Sequence, residues 1–164
     1  MVCESWRQFS VETSKRLFPE QLNVIYDSKC ALCAMEINWL KRKDRDGGKL
    51  LFTDLESEGG YDESDPRNAG VSYRDAMTAM TVVDGATGEI TSGIMVFPMI
   101  YETLSLGWLW SFTMMPVIGP VAADVYMFWA KYRTNVTRGR SLDSLVADYA
   151  EFKRLKECSE DCKS

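Results

Sequence analysis

Cys30 and Cys33 stand either side of Ala31 and Leu32, just after an apolar run (Leu22, Val24, Ile25) and just before a segment with helical periodicity. A strand that hands two cysteines to a helix N-terminus supplies what dithiol chemistry requires. The thiolate is the reactive form of cysteine, and the positive end of a helix dipole stabilises it. Two intervening residues bring both sulfurs within disulfide reach across the first turn. In this reading Cys30 is the attacking thiolate, Lys29 adds positive charge, and Cys33, one turn in and less exposed, resolves the mixed disulfide. Asp27 has two candidate roles. As a helix cap it is structural, and this is the preferred role. As a charge beside Cys30 it raises that thiol's pKa and relays a proton to the departing sulfur.

Two blander readings compete for the same residues. Cys30 and Cys33 with Cys158 and Cys162 have spacings that zinc accepts. The second pair, however, lies in an acidic tail without a knuckle-like glycine, so no metal is assigned. Alternatively the pair is simply two small core residues, since free cysteine is often buried. Cys3 is expected to be a free thiol.

Composition narrows the field further. The chain of 164 residues contains no histidine, which removes Ser-His-Asp and Cys-His catalysis and all His-ligated metal sites. No cofactor is called for. Five cysteines are too few and too odd for a disulfide-stapled secreted fold. An intracellular location fits better, in the cytoplasm or in an organelle with managed redox such as a chloroplast or mitochondrion. Met1–Gln21 has no apolar signal-peptide core and mixes basic residues with Glu, so it does not read as a transit peptide. The net charge of −5 argues against nucleic acid as a partner.

The elements that must position the cysteines follow from periodicity. Residues 1–21 read as an N-terminal arm, with a short amphipathic helix over Ser5–Phe18 (Trp6, Phe9, Leu17, Phe18) ended by Pro19. Leu22–Tyr26 reads as a buried strand. Cys30–Lys43 reads as a helix with Cys33, Ile37 and Leu40 on one face, capped by Asp27 or Ser28 and ended by Lys41-Arg42-Lys43-Asp44-Arg45. Lys49–Asp54 is a second strand, making a right-handed β-α-β unit with parallel strands. Leu55–Ser72 is a polar loop and Tyr73–Thr78 a short helix. Met80–Asp84 and Glu89–Ser92 form a hairpin around Gly85-Ala86-Thr87-Gly88, and a helix runs from Gly93 toward Leu106 with Pro98 in its first turns. Amphipathic helices follow over Asp124–Lys131 and Ser141–Lys156, and residues 158–164 form a polar tail. The order predicts an α/β fold with a thioredoxin-like β-α-β-β-β-α core and additional C-terminal helices, one domain over residues 22–157.

Thr103–Ala123 carries no charge over 21 residues, long enough to span a bilayer. Gly107, Pro116, Gly119 and Pro120 would break a single helix, so a bent helical hairpin covering the sheet is preferred. Its Trp and Met surplus would mark a docking surface on protein or membrane.

The stretch from Asn23 to Ser57 resembles the opening of the DCC-type thiol-disulfide oxidoreductases. That family combines a strand ending Tyr-Asp, a Cys-x-x-Cys, a helix ending in basic residues and a strand ending in Asp. Here those are Tyr26, Asp27, Cys30, Cys33, Lys41–Arg45 and Asp54. MTVVDGATGEITSG resembles the family's hairpin and VYMFWAKYRTNVTRGR its late basic helix end, so the likeness covers about Leu22 to Arg140. Ser28 departs from the glycine usual after Asp, and the uncharged Thr103–Ala123 departs from a commonly basic region. The resemblance implies a thioredoxin-like fold and a redox-active Cys30/Cys33 pair. Its partners would be a protein dithiol or disulfide, or glutathione. Thioredoxin-type folds also place a cis-proline before the third core strand. Here Thr78-Ala79-Met80-Thr81 has none, and a trans peptide is expected, with Met80 or Thr81 near the sulfurs and a poorer substrate groove. The second function class is an accessory subunit of an organellar membrane-associated complex, docked through Thr103–Ala123.

Overall fold

Strand β1 (Leu22–Tyr26) is buried along its whole length. Its alternation explains why: Leu22, Val24 and Tyr26 point to one face of the sheet, and Asn23 and Ile25 to the other. Asn23 is a polar group in a buried strand, and it is satisfied. Its amide donates to the Arg67 carbonyl at 2.8 Å and to Asn68 Oδ1 at 3.0 Å, and it accepts from the Thr53 hydroxyl at 2.8 Å.

The computed structural model describes residues 16–45, 47–110 and 118–161. From β1 the chain enters α1 (Ala31–Lys43), β2 (Leu50–Asp54), α2 (Tyr73–Thr78), β3 (Thr81–Asp84), β4 (Ile90–Ser92) and α3 (Val96–Thr103). It ends in α4 (Ile118–Arg138) and α5 (Leu142–Asp161). The sheet order is β2-β1-β3-β4. β1 and β2 are parallel with Tyr26 opposite Asp54, while β3 is antiparallel to both β1 and β4. This is the α/β, thioredoxin-like arrangement that the order of elements predicts.

The sheet separates two apolar clusters. One joins Leu22, Val24 and Tyr26 to Ile37 and Leu40 of α1 and Val96, Ile100 and Tyr101 of α3. The other joins Ile25 and Val83 to Tyr73, Ala76 and Met77 of α2 and Leu145 of α5. Apolar residues spaced three and four apart on α1 make its buried stripe (Cys33, Ile37, Leu40). Asp44, buried after the helix, accepts from the Lys49 and Leu50 backbone N–H groups at 3.0 and 2.9 Å, and so turns the chain into β2. At Gly85 a Cβ would lie 2.3 Å from the Glu20 carbonyl oxygen, so only glycine fits this crossing.

Several expectations are corrected. Leu17 and Phe18 are not helical. Phe18 is buried in the second cluster by a bend before β1, and residues 5–15 of the expected arm helix, like Cys3, lie outside the described residues. The Leu55–Ser72 loop is polar in composition, yet it buries Leu55, Tyr61 and Val71; its 3-10 turn at Pro66–Asn68, capped by Asp65, agrees with a polar loop holding a turn of helix. The third helix begins as a 3-10 turn at Gly93–Met95 and stops at Thr103, because Ser105 takes a positive φ of 61°. The described part of Thr103–Ala123 is not a helical hairpin. Gly107–Leu109 is a 3-10 turn, and Leu104, Leu106, Leu109 and Trp110 pack on the first cluster, with Trp110 stacked on Phe97. Residues 111–117 lie outside the described residues. α4 starts at Ile118, with Pro120 in its first turn, and runs to Arg138, well past the expected Lys131. Thr134, Val136 and Thr137 lower the intrinsic helix preference of that last stretch, and tertiary contacts override it. α5 continues through the expected tail to Asp161. No helix among the described residues is long and apolar enough to cross a membrane.

Candidate functional site

The turn between β1 and α1 carries the cysteines. Cys30 is itself the N-cap of α1. It has extended backbone, and its sulfur accepts the Cys33 backbone N–H at 3.4 Å. The cap therefore falls to neither Asp27 nor Ser28. The Asp27 carboxylate takes the Lys29 backbone N–H at 2.9 Å, a turn that bends the chain from strand to helix. Asp54, opposite on β2, accepts the Ser28 and Glu56 N–H groups at 3.2 and 3.0 Å and secures the same turn.

The Cys33 thiol donates to the Cys30 sulfur, with 2.7 Å between the sulfurs, and both cysteines are free. That hydrogen bond is the main reason the Cys30 thiol is pulled down to about 6. Burial opposes the shift, while the Cys33 backbone N–H and the Arg133 charge assist it and Asp27 works against it. Cys33 moves the opposite way, pushed up by holding its proton against Cys30 and by burial. The pair thus holds one anion, placed on Cys30. The exposures reverse the expected order: Cys30 is 0% exposed and Cys33 9%. Cys33, not Cys30, lines a cavity of about 130 Å3, together with Leu32, Met80, Phe97, Tyr126 and Trp129.

Helix α4 brings two arginines that the motif does not contain. Arg138 is half-buried, with its side chain 7% exposed, pairs with Asp27 and lies 2.9 Å from Glu56 Oε1. Glu56 also receives Lys29 at 2.7 Å and the Tyr73 hydroxyl at 2.8 Å. Burial pushes the Glu56 carboxyl up, but these hydrogen bonds outweigh it and hold the group below the ordinary carboxylate range. A larger cleft of about 550 Å3 opens over this ion cluster, and neither cysteine lines it. Arg133 reaches the other side of the dithiol. One of its terminal nitrogens donates to Cys33 Sγ at 3.4 Å, and the other to the Met77 and Ala76 carbonyls at 2.6 and 3.3 Å.

Before β3 the peptide is trans and Met80 lies near the sulfurs, as expected. No described residue has a cis peptide bond, and Met80 shares the cavity with Cys33. The Met80 backbone N–H is already occupied, by the Tyr126 hydroxyl of α4 at 3.2 Å. Cys158 is free and exposed on α5, and Cys162 lies outside the described residues. Among the described residues no three His, Cys, Asp or Glu side chains gather as metal ligands would.

Arg133, Arg138 and Glu56 are residues that the motif reading did not single out. One signal for the arginines exists in the sequence. Ala130, Arg133, Thr134 and Thr137 fall at helical spacing, and an arginine on a face of small residues is a charge aimed inward.

A family model described as "DCC1-like thiol-disulfide oxidoreductase" matches residues 24–139. An uncharacterized chloroplastic protein of Arabidopsis thaliana is 30% identical over 145 residues, covering 87% of this chain and 65% of its own length. The chain therefore spans less than two thirds of that relative. No solved structure matches the chain significantly.

Proposed function

The chain belongs to the DCC1-like thiol-disulfide oxidoreductase family, and from that premise we propose that Cys30 and Cys33 form a working dithiol that exchanges with glutathione or a protein disulfide. One observation carries the reading: two free sulfurs 2.7 Å apart at a helix N-terminus, with the Cys30 thiol lowered to about 6. A thiol in that range is mostly thiolate at neutral pH, the form that attacks a disulfide. In the forward direction Cys30 attacks one sulfur of the partner. A Cys30–partner bond forms, the partner's S–S bond breaks, and one partner sulfur leaves as thiolate and takes a proton from solvent. Cys33 then attacks Cys30 Sγ, the second partner thiol leaves with the proton that Cys33 gives up, and two electrons have passed from the dithiol to the partner.

The cover over the site constrains this chemistry. Tyr126, Trp129, Ala130 and Arg133 of α4 line the cavity on Cys33, and Cys30 is enclosed. The cavity has room for a side-chain-sized group and none for a folded surface, and Cys30 is fully buried, so exchange at Cys30 requires its surroundings to open. Asp27 acts through charge in this scheme: it opposes the thiolate on Cys30 while Arg138 holds its carboxylate in place. The chloroplastic relative supports an organellar setting for the exchange. No described helix is long and apolar enough to cross a membrane, and no observation here favours the accessory-subunit alternative over the dithiol.

The test is a glutathione redox titration with alkylation and mass spectrometry of Cys30 and Cys33. A two-electron midpoint that vanishes in Cys30→Ser supports the reading. Cysteines that stay reduced at every glutathione ratio overturn it.

A further inference from the structure

We infer that Arg133 is the counter-cation of the dithiol, and that its buried charge makes the disulfide form of this protein an unusually strong oxidant for the pair. The inference rests on the dithiol reading above and says which way its redox balance leans.

Arg133 is 4% exposed. A guanidinium cannot shed its proton at ordinary pH, so its charge is carried into the interior. A buried cation normally sits against a carboxylate. Arg138, five positions on, has two. Arg133 forms no ion pair with a carboxylate among the described residues, and its Nε has no hydrogen-bond partner there. Its contacts are two backbone carbonyls and the sulfur of Cys33. The other charges near the dithiol do not serve it. Asp27 and Glu56 are engaged by Arg138 and Lys29. Glu36, which lines the same cavity, accepts the Tyr101 hydroxyl at 2.7 Å. Tyr126 is neutral, with its ionisation pushed above the ordinary range by burial. The anion linked to Arg133 by hydrogen bonds is the thiolate on Cys30, reached through the Cys33 thiol, and the Arg133 charge favours it.

Oxidation removes that charge. The Cys30 thiolate and the Cys33 thiol, with glutathione disulfide and one proton from solvent, give the Cys30–Cys33 bond and two molecules of glutathione. The dithiol loses two electrons and the glutathione disulfide gains them. The product leaves Arg133 buried without the thiolate its hydrogen-bonded partners held. Whatever the thiolate contributes to holding Arg133 is therefore lost on oxidation, and the equilibrium leans to the reduced form. Stabilisation of the reduced form is what makes a disulfide oxidising.

The experiment compares glutathione equilibrium constants of the wild type, Arg133→Met and Arg133→Lys, with Lys131→Met as a surface control on the same helix. Arg133→Met is expected to shift the constant toward the disulfide by about tenfold, which corresponds to about 30 mV for a two-electron couple. Arg133→Lys keeps the charge and is expected to stay near the wild type, as is Lys131→Met. The difference between wild type and Arg133→Met should shrink as the pH falls below about 6, where Cys30 takes up its proton. A merely structural role for Arg133 would give no such pH dependence. Should Arg133→Met fail to fold, Arg133→Gln replaces it with the same expectation. Equal constants in wild type and the uncharged variant, at neutral pH, overturn the inference while leaving the dithiol reading intact. A wild type that never forms the disulfide overturns the dithiol reading itself.

Discussion

Two regions flank the dithiol, and each receives an arginine from α4. On the Asp27 side the charges close among themselves. Arg138 and Lys29 face Asp27 and Glu56, and the Tyr73 hydroxyl completes the shell of Glu56. On the Cys33 side Arg133 meets only carbonyls and sulfur among the described residues. The first region resembles a structural ion cluster, whose charges hold the loop that carries the cysteines. The second is open in charge, and its balance depends on the redox state of the pair. One helix thus delivers the same side chain to two different purposes, separated by what each guanidinium finds when it arrives.

The largest effect should come from breaking the closed side. Arg138→Met leaves the Asp27 carboxylate buried and unpaired, and is expected to cost roughly 3–5 kcal/mol. Chemical denaturation should show this loss in both the reduced and the oxidised protein. Arg133→Met should instead lose more stability in the reduced protein than in the oxidised one. Equal losses in the two redox states for Arg133→Met would erase the distinction between the two sides. The double variant Asp27→Asn with Arg138→Met removes both partners and should recover part of the stability lost by Arg138→Met alone.

The pH dependence of stability sharpens the sulfur side. The folded Cys30 thiol lies at about 6 against an ordinary 9.0, so the folded protein holds the thiolate where the unfolded chain holds the thiol. The resulting stability is fully present above the unfolded value and is lost as the pH falls through the folded one. Between these limits the stability of the reduced protein should rise with pH, with a slope approaching about 1.4 kcal/mol per pH unit. Above them Cys33, shifted upward, turns the slope over, because the unfolded thiol then ionises first. Denaturation of the reduced protein across this range reads the slope, and Cys30→Ser should flatten it.

A smaller effect tests Glu56. Tyr73→Phe removes the hydrogen bond to its carboxylate at 2.8 Å, for a cost of about 1 kcal/mol, and should let the Glu56 carboxyl titrate at higher pH by NMR. The exposed Arg74–Asp143 pair at 2.8 Å gives the baseline. Asp143→Ala should change stability by about 0.5 kcal/mol or less in thermal unfolding.

The strand-turn-helix-strand unit was legible because its signals are local. Alternation over Leu22–Tyr26, the three-and-four spacing of Cys33, Ile37 and Leu40, and the basic residues at the helix end each act within a few positions. Of the two roles read for Asp27, the cap fails for a related reason, while the charge that opposes the Cys30 thiolate stands. Asp before a helix is a common cap, and nothing nearby shows that the Cys30 sulfur takes that place while an arginine on α4 takes the carboxylate. The extent of α4 was underestimated because β-branched residues fill its last turns. The burial order of the two cysteines is the reverse of the local expectation, with Cys33 opening on a cavity lined by α4 and Cys30 fully buried.

By itself the sequence determined that two cysteines meet at a helix N-terminus, since strand and helix periods set side-chain direction over short distances. It also determined that histidine has no part in the chemistry, by containing none. Only the tertiary structure decided the electrostatics. The Arg133 contact to Cys33 joins residues 100 positions apart and the Arg138 contact to Asp27 residues 111 apart. Such contacts depend on how α4 settles on the rest of the molecule, and no local pattern encodes which charge will face which. The type of chemistry was therefore written in the spacing of Cys30 and Cys33, while the access to the sulfurs and the charge that surrounds them came from packing.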